Sequence, residues 1–89
     1  MTFNVLIHPK VFESIPKGRV KQIKEALKEL NDPFPEGNKC RIEGYKDEIY
    51  RLRIGNFRAM YRFDVKKAEV YVYEILTQEQ AHKKYGRLI

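Results

Sequence analysis

Arginine stands at positions 51, 53, 58 and 62 of this 89-residue chain, with Gly55-Asn56 between the first two and the last two. A guanidinium presents a planar fork of donors that matches phosphate oxygens two at a time, and it keeps its charge at any ordinary pH. Brought to one spot, such groups repel one another unless something anionic fills the gap. A phosphodiester does so well. Further along, Glu79, His82 and Tyr85 also have chemistry to offer. A histidine suits acid–base work near neutral pH, and a tyrosine there could stack on a base or position a ribose hydroxyl. Each also has a plainer reading. His82 could be an exposed bystander, Tyr85 a lock holding its helix to the sheet, and Glu79 a helix N-terminal carboxylate favoured by the dipole. His8, beside Pro9, reads as structural.

Whether the arginines converge depends on the strands that carry them. Residues 48–54 and 57–63 alternate in polarity, and Gly55-Asn56 between them reads as a two-residue hairpin turn. That turn pairs Ile54 with Phe57, Arg53 with Arg58, Leu52 with Ala59 and Arg51 with Met60. Side chains alternate along a strand, so Tyr50, Leu52, Ile54, Phe57, Ala59, Tyr61 and Phe63 form an apolar face. Arg51, Arg53, Arg58 and Arg62 collect on the other face. A like-charge pair directly across two strands is destabilising, and a sheet built only for stability would avoid Arg53 opposite Arg58. Relief could come from Glu74 on a neighbouring strand. The arginines could also lie over the sheet and pair with Glu43, Asp47, Glu48 or Glu74.

The remaining elements follow from periodicity. Residues 3–7 read as a strand ended by His8-Pro9, and residues 10–15 as a short helix broken at Pro16-Lys17-Gly18. Residues 19–30 form the clearest helix, with Val20, Ile23, Ala26, Leu27 and Leu30 on one stripe. An irregular loop follows to residue 38, then a short strand or an extended lead-in over residues 39–43. Residues 64–67 make a turn. Residues 69–76 are apolar on nearly both faces, as in a central strand. Thr77 and Gln80 match a capping box, so a terminal helix runs to Lys84 or Tyr85 and Gly86 closes it.

This order predicts an α+β domain: a small antiparallel sheet, two N-terminal helices packed on one face, and a short C-terminal helix. Residues 1–89 are expected to make one domain. The formal charge of +6 and pI near 9.5 point to a polyanionic partner, nucleic acid or acidic protein, or else to a generically lysine-rich surface. A single Cys40 has no internal partner for a disulfide, and no Cys and His cluster has metal-ligand spacing. No metal or cofactor is therefore expected. The N-terminus lacks the pattern of a signal peptide and no apolar run reaches membrane-spanning length, so the expected compartment is the cytoplasm.

The stretch Tyr50-Arg51-Leu52-Arg53-Ile54-Gly55-Asn56-Phe57-Arg58-Ala59-Met60-Tyr61, flanked by residues 38–44 and 70–76, resembles the strand–turn–strand signature of the RelE/ParE toxin superfamily. The resemblance covers nearly the whole chain. It implies a microbial RNase-like fold and membership of a type II toxin–antitoxin pair, with an acidic antitoxin as partner. The RelE branch cleaves mRNA in the ribosomal A site by attack of a ribose 2′-hydroxyl on the adjacent phosphate. The resemblance assigns site roles to Arg51, Arg53, Arg58 and Tyr85, with Arg58 on the scissile phosphate. His82, Arg62 and Glu79 are secondary candidates. Many RelE relatives carry an arginine just after the last strand, whereas this chain has Thr77-Gln78-Glu79-Gln80, which either shifts that duty to His82, Lys83 or Tyr85 or leaves the chain slow or inactive. Two other functions share the scaffold: a ParE-like inhibitor of DNA gyrase that cleaves nothing, and a non-catalytic basic RNA-binding domain.

Overall fold

The computed structural model describes residues 2–86. Strand β1 (Asn4–Ile7) leads into a single 3₁₀ turn (Pro9–Phe12) and helix α1 (Lys17–Leu27), which tightens into a second 3₁₀ turn (Lys28–Asn31). Four strands follow: β2 (Lys39–Arg41), β3 (Tyr50–Ile54), β4 (Phe57–Asp64) and β5 (Glu69–Thr77). Helix α2 (Gln78–Tyr85) comes last. The architecture is α+β, but the sheet is five-stranded and mixed, in the order β1-β5-β4-β3-β2. Strands β2 to β5 are antiparallel neighbours, and β1 adds parallel to β5, Val5 opposite Val70 and Ile7 opposite Val72. The expectation of a small antiparallel sheet is corrected there. A hairpin register is local, whereas β1 finds its partner across more than sixty intervening residues and a helical crossover of the kind parallel strands need.

The expected pair of N-terminal helices is corrected as well. The first is one turn only: His8 Nδ1 accepts from Lys10 N at 3.2 Å and Pro9 takes the first position, but the turn ends by Glu13. Val11 and Ile15 are nonetheless buried and Phe12 is half-buried. The second helix starts earlier than its apolar stripe suggests. Pro16, with ψ 138°, lies just outside it as the N-cap and Lys17 and Gly18 form its first turn, so the segment expected only to break the preceding helix also starts this one. Ile23, Leu27 and Leu30 are fully buried against the face carrying Leu52, Ala59, Tyr61, Val70 and Val72. Each such large side chain contributes about 1.5–3 kcal/mol of transfer free energy.

The opposite face of the sheet holds a second, smaller core that alternation alone does not disclose. Met60, Ile42 and Ile49 meet Ala81 of α2, with Leu76 and Tyr85 packed alongside. Helix α2 begins as expected: Thr77 Oγ1 accepts from Gln80 N at 3.2 Å, and the Gln80 side chain accepts from Thr77 N at 3.0 Å. Between β4 and β5 the register shifts. Met60 faces Glu74 and Tyr61 faces Val72, so Tyr73 has no partner. This bulge keeps Tyr61 and Val72 both in the main core and leaves Tyr73 exposed. Among the described residues no helix is long and apolar enough to cross a membrane.

Candidate functional site

The β3–β4 hairpin forms in the expected register, with Ile54 opposite Phe57 and Arg53 opposite Arg58. Only Gly55 of the two turn residues has a positive φ (+55°), the signature of a II′ turn, whose twist matches the strands it joins. Arg58 lies beside the turn, only 4% exposed. Its Nη1 donates to Gly55 O at 2.9 Å and Phe57 O at 3.0 Å, while its Nε is buried without a protein partner. Arg51, half-buried, donates from Nη1 to Asn38 O at 2.7 Å and likewise has a buried, unpartnered Nε. Arg53 is exposed, and its backbone N–H donates to the same Asn38 carbonyl at 2.9 Å. Backbone carbonyls thus orient two guanidiniums and leave their Nε donors unmet.

Electrostatics at this spot disfavour the cations that occupy it. Burial pulls the Arg58 guanidinium below its ordinary pKa, and the charges of Arg51 and Arg53 pull it further. The group nevertheless stays protonated, since guanidinium does not lose its proton in proteins. Three of the four carboxylates that could neutralise the cluster, Asp47, Glu48 and Glu74, are engaged elsewhere. Asp47 pairs with Arg62 at 3.3 Å, and Glu48 receives the Tyr50 hydroxyl at 3.4 Å. Glu74, expected as a source of relief, pairs with Lys84 at 2.7 Å and accepts from the Tyr85 hydroxyl at 2.7 Å. Among the described residues no carboxylate comes within ion-pair distance of Arg51, Arg53 or Arg58. Positive charge and unused donors in a partly desolvated spot make a receptor for an anion with several oxygens.

The other sequence candidates lie apart from this trio. Arg62 stands on the same face but is drawn to Asp47, its guanidinium 5.8 Å from the centre of the Tyr73 ring. Tyr85 sits at the far end of α2, edge-on to Tyr45 at 5.6 Å, its hydroxyl held by Glu74 with Tyr73 3.5 Å away. Burial and then the hydrogen bonds with Tyr73 and Glu74 push its pKa up, so the hydroxyl is a poor proton donor, and the ring is itself engaged by Tyr45 and the small core. His82 and Glu79 line a cleft beside the hairpin turn, where Glu79 pairs with Lys83 at 3.6 Å. Sequence reasoning missed Asn38 and Gly55, which act through main-chain carbonyls and so leave no mark in residue type.

The fold is that of RelE toxins. The RelE–RelB complex of the archaeon Pyrococcus horikoshii OT3 aligns with a TM-score of 0.70 and 27% identity, over 91% of this chain and 100% of its own. A double mutant of Escherichia coli RelE in the free state aligns at 0.65 over 97% of this chain and 95% of its own, a likeness of fold alone at 21% identity. The family model described as the ParE toxin of the type II toxin–antitoxin system parDE matches residues 10–82. A Methanocaldococcus jannaschii protein carrying the name toxin RelE1 is 35% identical over 89 residues, which cover 93% of this chain and 98% of that one. The chain belongs to the RelE/ParE superfamily of type II toxins.

Proposed function

We propose that this toxin is a metal-independent endoribonuclease that cuts mRNA in the ribosomal A site. The observation that supports this reading is that Arg51 and Arg53 lie near enough to Arg58 to pull its pKa down, with no carboxylate at ion-pair distance among the described residues and two buried Nε donors unused. In the proposed step the ribose 2′-oxygen attacks the adjacent phosphorus, its proton passes to a base, and the bond to the 5′-oxygen breaks as that oxygen takes up a proton. The products are a 2′,3′-cyclic phosphate and a 5′-hydroxyl. Guanidiniums placed as these are hold the non-bridging oxygens and meet the extra negative charge of the phosphorane. A single such donor typically contributes 10²- to 10³-fold in rate, on the order of 3–4 kcal/mol. His82 in the neighbouring cleft is the candidate for the proton transfers, because this chain lacks an arginine in residues 77–80.

The natural partner on this reading is an acidic antitoxin, disordered in part when free, that wraps the basic surface. The net charge of +6 and the relatives solved as RelE–RelB complexes support it. A gyrase-inhibiting function remains the second reading because the matching family model is that of ParE. One experiment separates the two. The purified chain is expected to cut mRNA in programmed ribosomes and to leave gyrase supercoiling untouched, and Arg58→Ala is expected to lower cleavage by at least about 10²-fold. Inhibited supercoiling with intact mRNA would favour the gyrase reading.

A further inference from the structure

A cleft of about 430 Å³ opens between the β3–β4 turn and α2, lined by Asn56, Thr77, Gln78, Glu79, His82 and Lys83. The turn joins this cleft to the arginine cluster. The Gly55 carbonyl accepts from Arg58, and the next carbonyl, that of Asn56, accepts from Gln78 N at 2.8 Å. At 3.6 residues per helical turn, Ala81 and Tyr85 point at the sheet and Lys84 lies on the flank that meets Glu74 of β5. Glu79, His82 and Lys83 lie on the other flank, the one that shares the cleft with Asn56. A ligand in the cleft is therefore on the hairpin side of α2, next to the turn that orients Arg58.

The chemistry of the cleft differs from that of the arginines. Guanidiniums only donate, which suits an anion, whereas the carboxamides of Asn56 and Gln78 each offer a donor and an acceptor. Among the described residues neither carboxamide is engaged by another group. The cation of the cleft, Lys83, is paired with Glu79 at 3.6 Å, so a phosphate placed here would compete with that carboxylate and face the amide oxygens. A neutral heterocycle with alternating donors and acceptors along its edge fits better, and recognition of single-stranded RNA works by reading such unstacked edges.

We propose that this cleft is a nucleobase subsite: an unpaired base beside the phosphate held at Arg58 enters it, and Asn56 and Gln78 read its hydrogen-bonding edge. The inference rests on the phosphate reading of the arginines and adds a determinant of sequence preference. Four short single-stranded RNAs, blocked by 2′-O-methyl groups and differing in the one base next to the central phosphate, are titrated against the whole chain by fluorescence anisotropy. A spread of about five- to tenfold among the four bases is expected, the value of one or two well-made hydrogen bonds. Asn56→Ala with Gln78→Ala is expected to shrink it below about twofold, and Arg58→Gln to weaken all four RNAs alike. Both carboxamide residues are exposed, so circular dichroism of the double variant is expected to match the parent.

A spread that survives the double variant overturns the subsite, as does a flat wild-type profile that still depends on Arg58. In either case the phosphate site stands. RNA affinity indifferent to Arg58→Gln overturns both.

Discussion

Among the described residues, Arg58 is the charged residue that the fold buries. Its side chain is 4% exposed, Nε has no partner, and Arg53 faces it directly across the hairpin. Replacing a poorly compensated buried charge by an apolar side chain of similar length is often neutral or stabilising. Arg58→Met is therefore expected to raise stability to denaturant by about 1 kcal/mol, or to leave it unchanged, while RNA cleavage is lost. Urea unfolding of the two proteins under one buffer checks it, and a loss of several kcal/mol would show that the guanidinium belongs to the structure and not to the site. The contrast with Arg62 is instructive. It stands four residues along the same strand but is satisfied by Asp47 and the Tyr73 ring.

At the scale of elements, helix α2 is held by Ala81 in the small core, by its capping box and by the latch of Lys84 and Tyr85 on Glu74. The latch carries a pH signature. A phenol whose pKa is raised in the folded state lends stability that is complete below the unfolded value near 10 and lost as pH rises through the folded value. Tyr85 is raised by burial and its bonds to Tyr73 and Glu74; Tyr71 is pushed up to about 12, chiefly by its hydrogen bond to Glu69. Unfolding midpoints followed from pH 8 upward are expected to fall above about pH 10, with a shallower fall in Tyr85→Phe. That variant also loses about 1 kcal/mol at pH 8 with the hydrogen bond to Glu74. Identical alkaline limbs for the two proteins would contradict the latch.

The same elements show what the sequence discloses and what it does not. The hairpin register was legible because Gly55-Asn56 fixes it locally, and with it the opposition of Arg53 and Arg58. The pairing of β1 with β5, the bulge at Tyr73 and the commitment of Glu74 to α2 all depend on contacts distant in sequence. Met60, Ile42 and Ile49 interrupt the charged face to receive Ala81. Strand alternation puts Met60 and Ile49 on that face but assigns no face to Ile42, and only the position of α2 shows why they are apolar.

For the whole molecule, the net charge of +6 draws any nucleic acid nonspecifically, so affinity alone does not identify the site. Salt dependence does, because each phosphate neutralised by a free cation releases counterions and adds about 0.7 to the logarithmic slope for a single strand. A cation already paired within the protein adds less. The decisive measurement is the slope of RNA affinity against salt for the parent chain, Arg53→Gln, Arg58→Gln and Arg62→Gln. A drop of about 0.7 for each of the first two variants and little change for Arg62→Gln is the expected result. Equal drops for all three variants would contradict a phosphate site built on the uncompensated arginines.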